Sequence, residues 1–170
     1  ATSGQAFING RAGHRVAVRN SGADIVVEGI GDHGCEYMTG GRIVVLGDVG
    51  RNFGAGMSGG IAYILPTSEA AFKAQCNIEM IEFAKLEQKE EMTEVCKLIM
   101  EHYEQTNSSL AQNILENWEQ SVSQFVKVVP TDYQKMIDKI NFHKMQGLSE
   151  EKAEMQAFVE TTSSKELAKS

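Results

Sequence analysis

Gly29-Ile-Gly-Asp-His-Gly34 follows the β-branched run Ile25-Val26-Val27 after one residue, Glu28. Its glycines have the G-x-G-x-x-G spacing of a dinucleotide loop, in which bare backbone approaches a pyrophosphate at a helix N-terminus. Asp48 stands downstream at a distance suited to an acid that would hold a ribose hydroxyl. The same stretch holds His33-x-Cys35, two ligand types that zinc accepts. Two ligands are too few for a site, and His14 occupies the matching place one repeat earlier, so a stacked turn residue is the better reading of His33. Cys35, Cys76 and Cys96 are odd in number, far apart and without a C-x-x-C pair. They predict neither a disulfide framework nor a zinc site, and they fit a reducing cytoplasm. His102 falls on an apolar helical face, where a histidine is more often a satisfied core or boundary residue than a general base.

The elements around these residues decide between the chemistries. A dinucleotide loop needs a strand, the loop, a helix of several turns and a parallel strand within about 30 residues. Here Ile25 and the next apolar run at Ile43 are 18 residues apart. Between them lie Gly29, Gly31, Gly34, Gly40 and Gly41, and glycine costs a helix about 1 kcal/mol per position. No crossover helix fits. A second G-x-G-x-x-G, Gly54 to Gly59, sits at another phase.

A repeat accounts for both motifs. Ser3-Gly4, Ser21-Gly22, Thr39-Gly40 and Ser58-Gly59 recur at spacings of 18, 18 and 19. A short apolar run follows each pair, and further glycines follow at Gly10, Gly29 and Gly47, then at Gly13, Gly31 and Gly50. Four- or five-residue β-branched runs between glycine turns predict strands. Stacked at this period they predict a right-handed parallel β-helix, a solenoid of coils about 18 residues long, with an α-helical tail. Gly4, Gly22, Gly29, Gly31, Gly34, Gly40, Gly41, Gly47, Gly50, Gly59 and Gly60 are its turn glycines. Phe7 or Ile8, Ile25 and Val27, Val44 and Leu46, and Ala62 and Ile64 are the expected inward ladders. No residue is assigned a catalytic, cofactor-binding or metal role.

Composition divides the chain near Pro66. Fifteen of the 16 glycines precede residue 61. Residues 1–65 carry five Arg, no Lys and five acids; residues 66–170 carry eleven Lys, no Arg and 18 acids. The expected domains are therefore 1–65, the coils, and 66–170, a helical extension. A net charge of -7 argues against a nucleic-acid surface. No apolar run approaches the length of a membrane span. Arg11, Arg15, Arg19, Arg42 and Arg51 support two readings equally: a docking face, or the polar exterior that any solenoid needs.

In the second part, Met92, Val95, Cys96, Leu98, Ile99, His102 and Tyr103 make one apolar helical face between Glu90 and Gln105. Ser108 or Ser109 caps a second helix carrying Leu110, Ile114, Leu115, Trp118 and Val122. Phe125 to Pro130 is extended. Further helices are expected from Thr131 to Ile140 and after Ser149.

The stretches VEGIGDHGCEYMTGGRIVVLG and GRNFGAGMSGGIAY closely resemble the C-terminal β-helix region, or GXGXG domain, of the glutamate synthase large subunit. The likeness continues more loosely through residues 76–160. The resemblance implies a structural part of an oxidoreductase that makes two glutamates from glutamine and 2-oxoglutarate. It implies partners: a glutaminase domain, a synthase domain holding FMN and an iron–sulfur cluster, and as a further candidate a small NAD(P)H-oxidising subunit. None of the family's catalytic or cofactor residues falls on this sequence. Further coils are expected upstream of Ala1, so the chain is expected to be a fragment or split-off homologue that self-associates through its first coil. The alternative is a free-standing β-helix scaffold or binding module, similar to the glycine-coil component of formylmethanofuran dehydrogenase.

Overall fold

The computed structural model describes residues 2–131. All but the last belong to the first of two compact units, Ala1–Pro130 and Thr131–Ser170. Four strands, β1 (Gln5–Arg11), β2 (Ser21–Gly29), β3 (Thr39–Val45) and β4 (Gly59–Ile64), lie parallel in chain order. Ala6 lies beside Ile25, Ile25 beside Ile43, and Ile43 beside Ala62, so successive coils step by 19, 18 and 19 residues. Turns and irregular arcs join them, and no helix occurs between Asp32 and Gly41. The result is a β-solenoid of about three coils.

Strands β2 to β4 are apolar on both faces because both are covered. Ile25, Val27, Ile43, Val45, Ala62 and Ile64 face the solenoid interior, where Ile30, Cys35, Met38, Phe53 and Met57 from the arcs close the core. Val26, Val44, Leu46 and Tyr63 face the other way, into a second core under the helices. The expected interior ladder is corrected here: Val44 and Leu46 are one residue out of phase. A strand buried on both sides shows no alternation, and a one-residue slip exchanges its faces.

The glycines serve two adjacent needs. A Cβ on Gly22, Gly40 or Gly59 would run into the carbonyl oxygen of Thr2, Ser21 or Thr39 in the coil below. The position after Gly40 and Gly59 is left-handed, with φ of +82° at Gly41 and +81° at Gly60. Gly4, at +96°, belongs to this second column and not, as the dipeptide spacing predicts, to the first. The arcs also hold non-glycine residues at positive φ in matching places: Arg15, His33 and Asn52, then Ala17 and Cys35 with Gly54, then Arg19 and Tyr37 with Gly56.

The chain beyond Pro66 departs from an all-helical extension. It contains α1 (Glu69–Gln75), β5 (Ile81–Lys85), α2 (Lys89–Thr106), α3 (Ser109–Glu116), α4 (Trp118–Val122) and β6 (Val126–Pro130). Strand β6 pairs antiparallel with β4, and β5 with β6, so the sheet continues past the coils in the order β1-β2-β3-β4-β6-β5. Ile81 and Phe83 alternate with the exposed Glu82 and Ala84, a period-2 signal too short to stand out beside helices. Val95, Leu98, Ile99 and His102 are buried on α2, against the outer face of the strands. Ser108 caps α3 by accepting the Ala111 N–H at 3.1 Å. The helix expected to run on to Val122 breaks at Asn117 into α3 and α4. The continuation of the helix expected from Thr131 to Ile140, and the one opened by Ser149, lie outside the described residues.

Candidate docking interface

The two ends of the solenoid differ. At the far end β4 is covered by β6, and the last arc is closed by α1 and the loop after it. Phe53 N–H donates to Gln75 O at 3.2 Å and Asn77 N–H to Phe53 O at 2.9 Å. The Phe72 ring meets Phe53 edge-on at 5.7 Å and Phe83 at 6.0 Å. At the near end β1 pairs with β2 alone, and its outer edge has no partner among the described residues. Ala6 and Ile8 point along the interior ladder with nothing below them among the described residues, and Ile8 is 37% exposed. Phe7, expected to share that bare cross-section, alternates outward instead and packs into the helix-side core, 6.2 Å from the His102 ring.

The near end is also basic. Residues 2–20 contain Arg11, Arg15, Arg19 and His14 and no acid. The five arginines separate on inspection. Arg42 makes a two-pronged pair with Asp24, at 3.0 and 2.9 Å, and reaches Glu94 on α2 at 3.0 Å, fastening the helix to the coils. Arg51 pairs with Asp32 at 3.2 Å. Its backbone N–H also donates to Asp32, which holds that carboxyl below the usual range. Arg11 donates to the Ile30 carbonyl at 3.0 Å. Arg15 and Arg19 are exposed, with no side-chain partner among the described residues. The docking reading therefore rests on these last two.

The residues that spacing singled out for chemistry are occupied with one another. A Cβ on Gly31 would strike the His14 ring, and one on Gly34 would strike Ile30 and Phe53, so protein fills the space a pyrophosphate would need. One on Gly47 would meet Glu28 O, and one on Gly50 would meet Asp32; Gly29 has only ordinary van der Waals neighbours. His33 Nδ1 donates to Glu36 at 2.6 Å, while the Cys35 side chain is fully buried in the interior core. Burial pushes the Cys35 thiol up strongly, the Cys76 thiol up to about 12 and the Cys96 thiol up to a lesser extent. Among the described residues no three His, Cys, Asp and Glu side chains gather as a metal site. This donor set does not fit an iron–sulfur cluster, which takes several thiolates.

One polar cluster carried no sequence signal. Glu28, at the end of β2, accepts from His102 Nε2–H at 3.1 Å and from Ser108 Oγ–H at 3.0 Å. His102 and Ser108 converge on the carboxylate and not on each other, so these two do not form a nucleophile–base pair. The carboxylate fastens α2 and the cap of α3 to the coil. Residues 28, 102 and 108 are too far apart in the chain for any spacing rule to join them.

The GXGXG motif family model matches residues 1–131. The chain is 57% identical to the glutamate synthase [NADPH] large chain of Bacillus subtilis over 98% of its own length and 11% of that protein's. It is 50% identical to the glutamate synthase [NADH] of Schizosaccharomyces pombe, over 82% of its length and 6% of that protein's. With the ferredoxin-dependent glutamate synthase of Spinacia oleracea it shares 46% over 76%, covering 8% of that protein. The chain thus spans about a tenth or less of the relatives it matches. No helix among the described residues is long and apolar enough to cross a membrane.

Proposed function

Because the chain belongs to the GXGXG motif family, we propose that it serves as the solenoid segment of a glutamate synthase large chain, bracing other domains without reacting groups of its own. The right-handed winding and the division at residue 66, coils before and extension after, belong to this reading. So does the assignment of Gly4, Gly22, Gly29, Gly31, Gly34, Gly40, Gly41, Gly47, Gly50, Gly59 and Gly60 to turns and close packing. The observation that carries it is similarity to the Bacillus protein over 98% of this chain and only 11% of that protein's length. Relatives named for NADPH, NADH and ferredoxin all share these coils, which favours a role apart from electron entry. FMN and an iron–sulfur cluster would sit in the longer polypeptide. The upstream coils, the glutaminase domain and the synthase domain would be the partners, in a reducing cytoplasm that suits three unpaired cysteines.

The test uses the full reading frame. It is expected to encode a long polypeptide that forms two glutamates from glutamine and 2-oxoglutarate. In that enzyme Ile8→Asp, at the seam between this segment and the coils before it, is expected to release free ammonia, with more glutamine hydrolysed than 2-oxoglutarate consumed. A reading frame encoding only these coils, or unaltered coupling in a folded variant, would rule the bracing role out.

A further inference from the structure

Helix α2 is fastened to each strand of the stack in turn. Near its start, Glu91 accepts from Lys127 Nζ on β6 at 2.6 Å and from the Tyr63 hydroxyl on β4 at 3.4 Å. One turn on, Glu94 accepts from Arg42 on β3 at 3.0 Å, and the same guanidinium holds Asp24 on β2. Toward its end, His102 donates to Glu28 on β2 at 3.1 Å. Glu101 accepts from Gln5 on β1 at 3.2 Å, and Thr106 O accepts from Asn9 on β1 at 3.1 Å. Between these attachments Val95, Leu98 and Ile99 are buried against the same sheet.

Along the helix the partners run β6 with β4, then β3, then β2 with β1, which is the order of the strands in the sheet. The dimensions agree. From Glu91 to Thr106 the helix rises about 22 Å, and from β6 to β1 the sheet advances about 19 Å. The helix therefore lies along the stack and spans it.

Coils of a solenoid ordinarily interact only with their neighbours, so a stack can open one coil at a time. A helix attached at five strands removes that freedom. No strand can leave the sheet without bending α2 or giving up its attachment. We infer that α2 is an axial strap. It couples strands that are not hydrogen-bonded to one another, such as β2 and β4, and makes the coils open together where stacking alone would let them fray. The interior core still protects each coil when the strap is cut; what the strap adds is simultaneity. This goes beyond the bracing role proposed above and does not depend on it. A stack that frays yields at one end when displaced at the other, whereas a strapped stack carries the displacement along its length.

Lys97 is exposed and belongs to none of these attachments. It lies between the part of α2 held by β6, β4 and β3 and the part held by β2 and β1. Lys97→Pro therefore cuts the strap without touching a clasp, by breaking the helix in its middle. Hydrogen exchange of the strand amides is followed in the full 170-residue chain in low urea. In the wild type, the amides of 24–27, 42–45 and 61–64 are expected to exchange through one common opening with one urea dependence. In Lys97→Pro, 24–27 are expected to exchange roughly tenfold faster than 61–64, since proline is the costliest residue in a helix interior. The split falls this way round because β1 pairs on one side only, whereas β4 is covered by β6. Lys97→Gly weakens the helix less and is expected to show the same split at roughly threefold, so the test stands even where the proline variant does not fold. Lys97→Ala, which keeps the helix, is expected to keep the common opening. Separate openings already present in the wild type overturn the strap. So does a common opening that persists in the folded proline or glycine variant while only the α2 amides exchange faster.

Discussion

At the scale of single residues, the structure separates glycines that look alike in the sequence. Gly40 must admit the Ser21 carbonyl of the coil below. Gly13 has no atom within 4 Å of where a Cβ would stand. Gly40→Ala is therefore expected to destabilise by about 1–3 kcal/mol through overpacking. Gly13→Ala is expected to be neutral or to stabilise by about 0.4–1 kcal/mol, because it restricts the unfolded chain. Urea denaturation of the two variants measures both, and equal losses would contradict the assignment. The cysteines give a second residue-level expectation. A thiol with a pKa of about 12, such as Cys76, is ionised at pH 8 to roughly one part in ten thousand, so it alkylates slowly. Cys96 should react first with a thiol reagent in the native chain, Cys76 slowly and Cys35 only on unfolding; early labelling of Cys35 would count against its burial. A folded value raised above the ordinary 9.0 means that the Cys76 contribution to stability is full below about pH 9 and is lost as pH climbs toward about 12.

At the scale of elements, the sheet holds two cores apart. Val45 faces the solenoid interior and Val44 the helices, although they are adjacent and both fully buried. Val44→Asp is expected to free α2 and α3 from the sheet and to raise hydrogen exchange over 89–116 while the coil amides stay protected. Val45→Asp is expected to open the coils themselves, because the charge enters a closed interior. Identical exchange maps would mean that the two cores unfold as one. This division also marks where sequence reasoning was sufficient. Strand positions and the stacked coils follow from Ile25, Ile43 and Ile61 recurring between glycines, since that repeat is local and periodic. The phase of Val44 and Leu46 was not legible, because burial on both faces erases alternation. Strand β5 was hidden because its five residues derive their conformation from β6, a neighbour distant in sequence. The open coil end was legible in outline from Phe7 and Ile8, but which of the two is bare depends on pleat direction.

At the scale of the whole molecule, one end of the stack is covered and the other has no strand partner among the described residues. The isolated chain is expected to self-associate through β1, since an unpaired strand edge beside an apolar section invites another strand. Ile8→Lys should lower the sedimenting mass toward that of a monomer. Phe7→Lys should act instead by loosening α2, because Phe7 lies on the helix side. A wild-type chain that remains monomeric at high concentration would show that the edge is already protected. The step of 19, 18 and 19 residues between matched strands has a further consequence, for insertions and deletions. Each coil lengthens the stack by one strand spacing, about 4.8 Å, whatever its sequence. The solenoid is thus a graduated ruler. Removing one full coil would draw anything mounted on the near end toward the far end by one graduation and keep both cores in register. Removing half a coil would put a turn where a strand should be, leaving no stack to measure with.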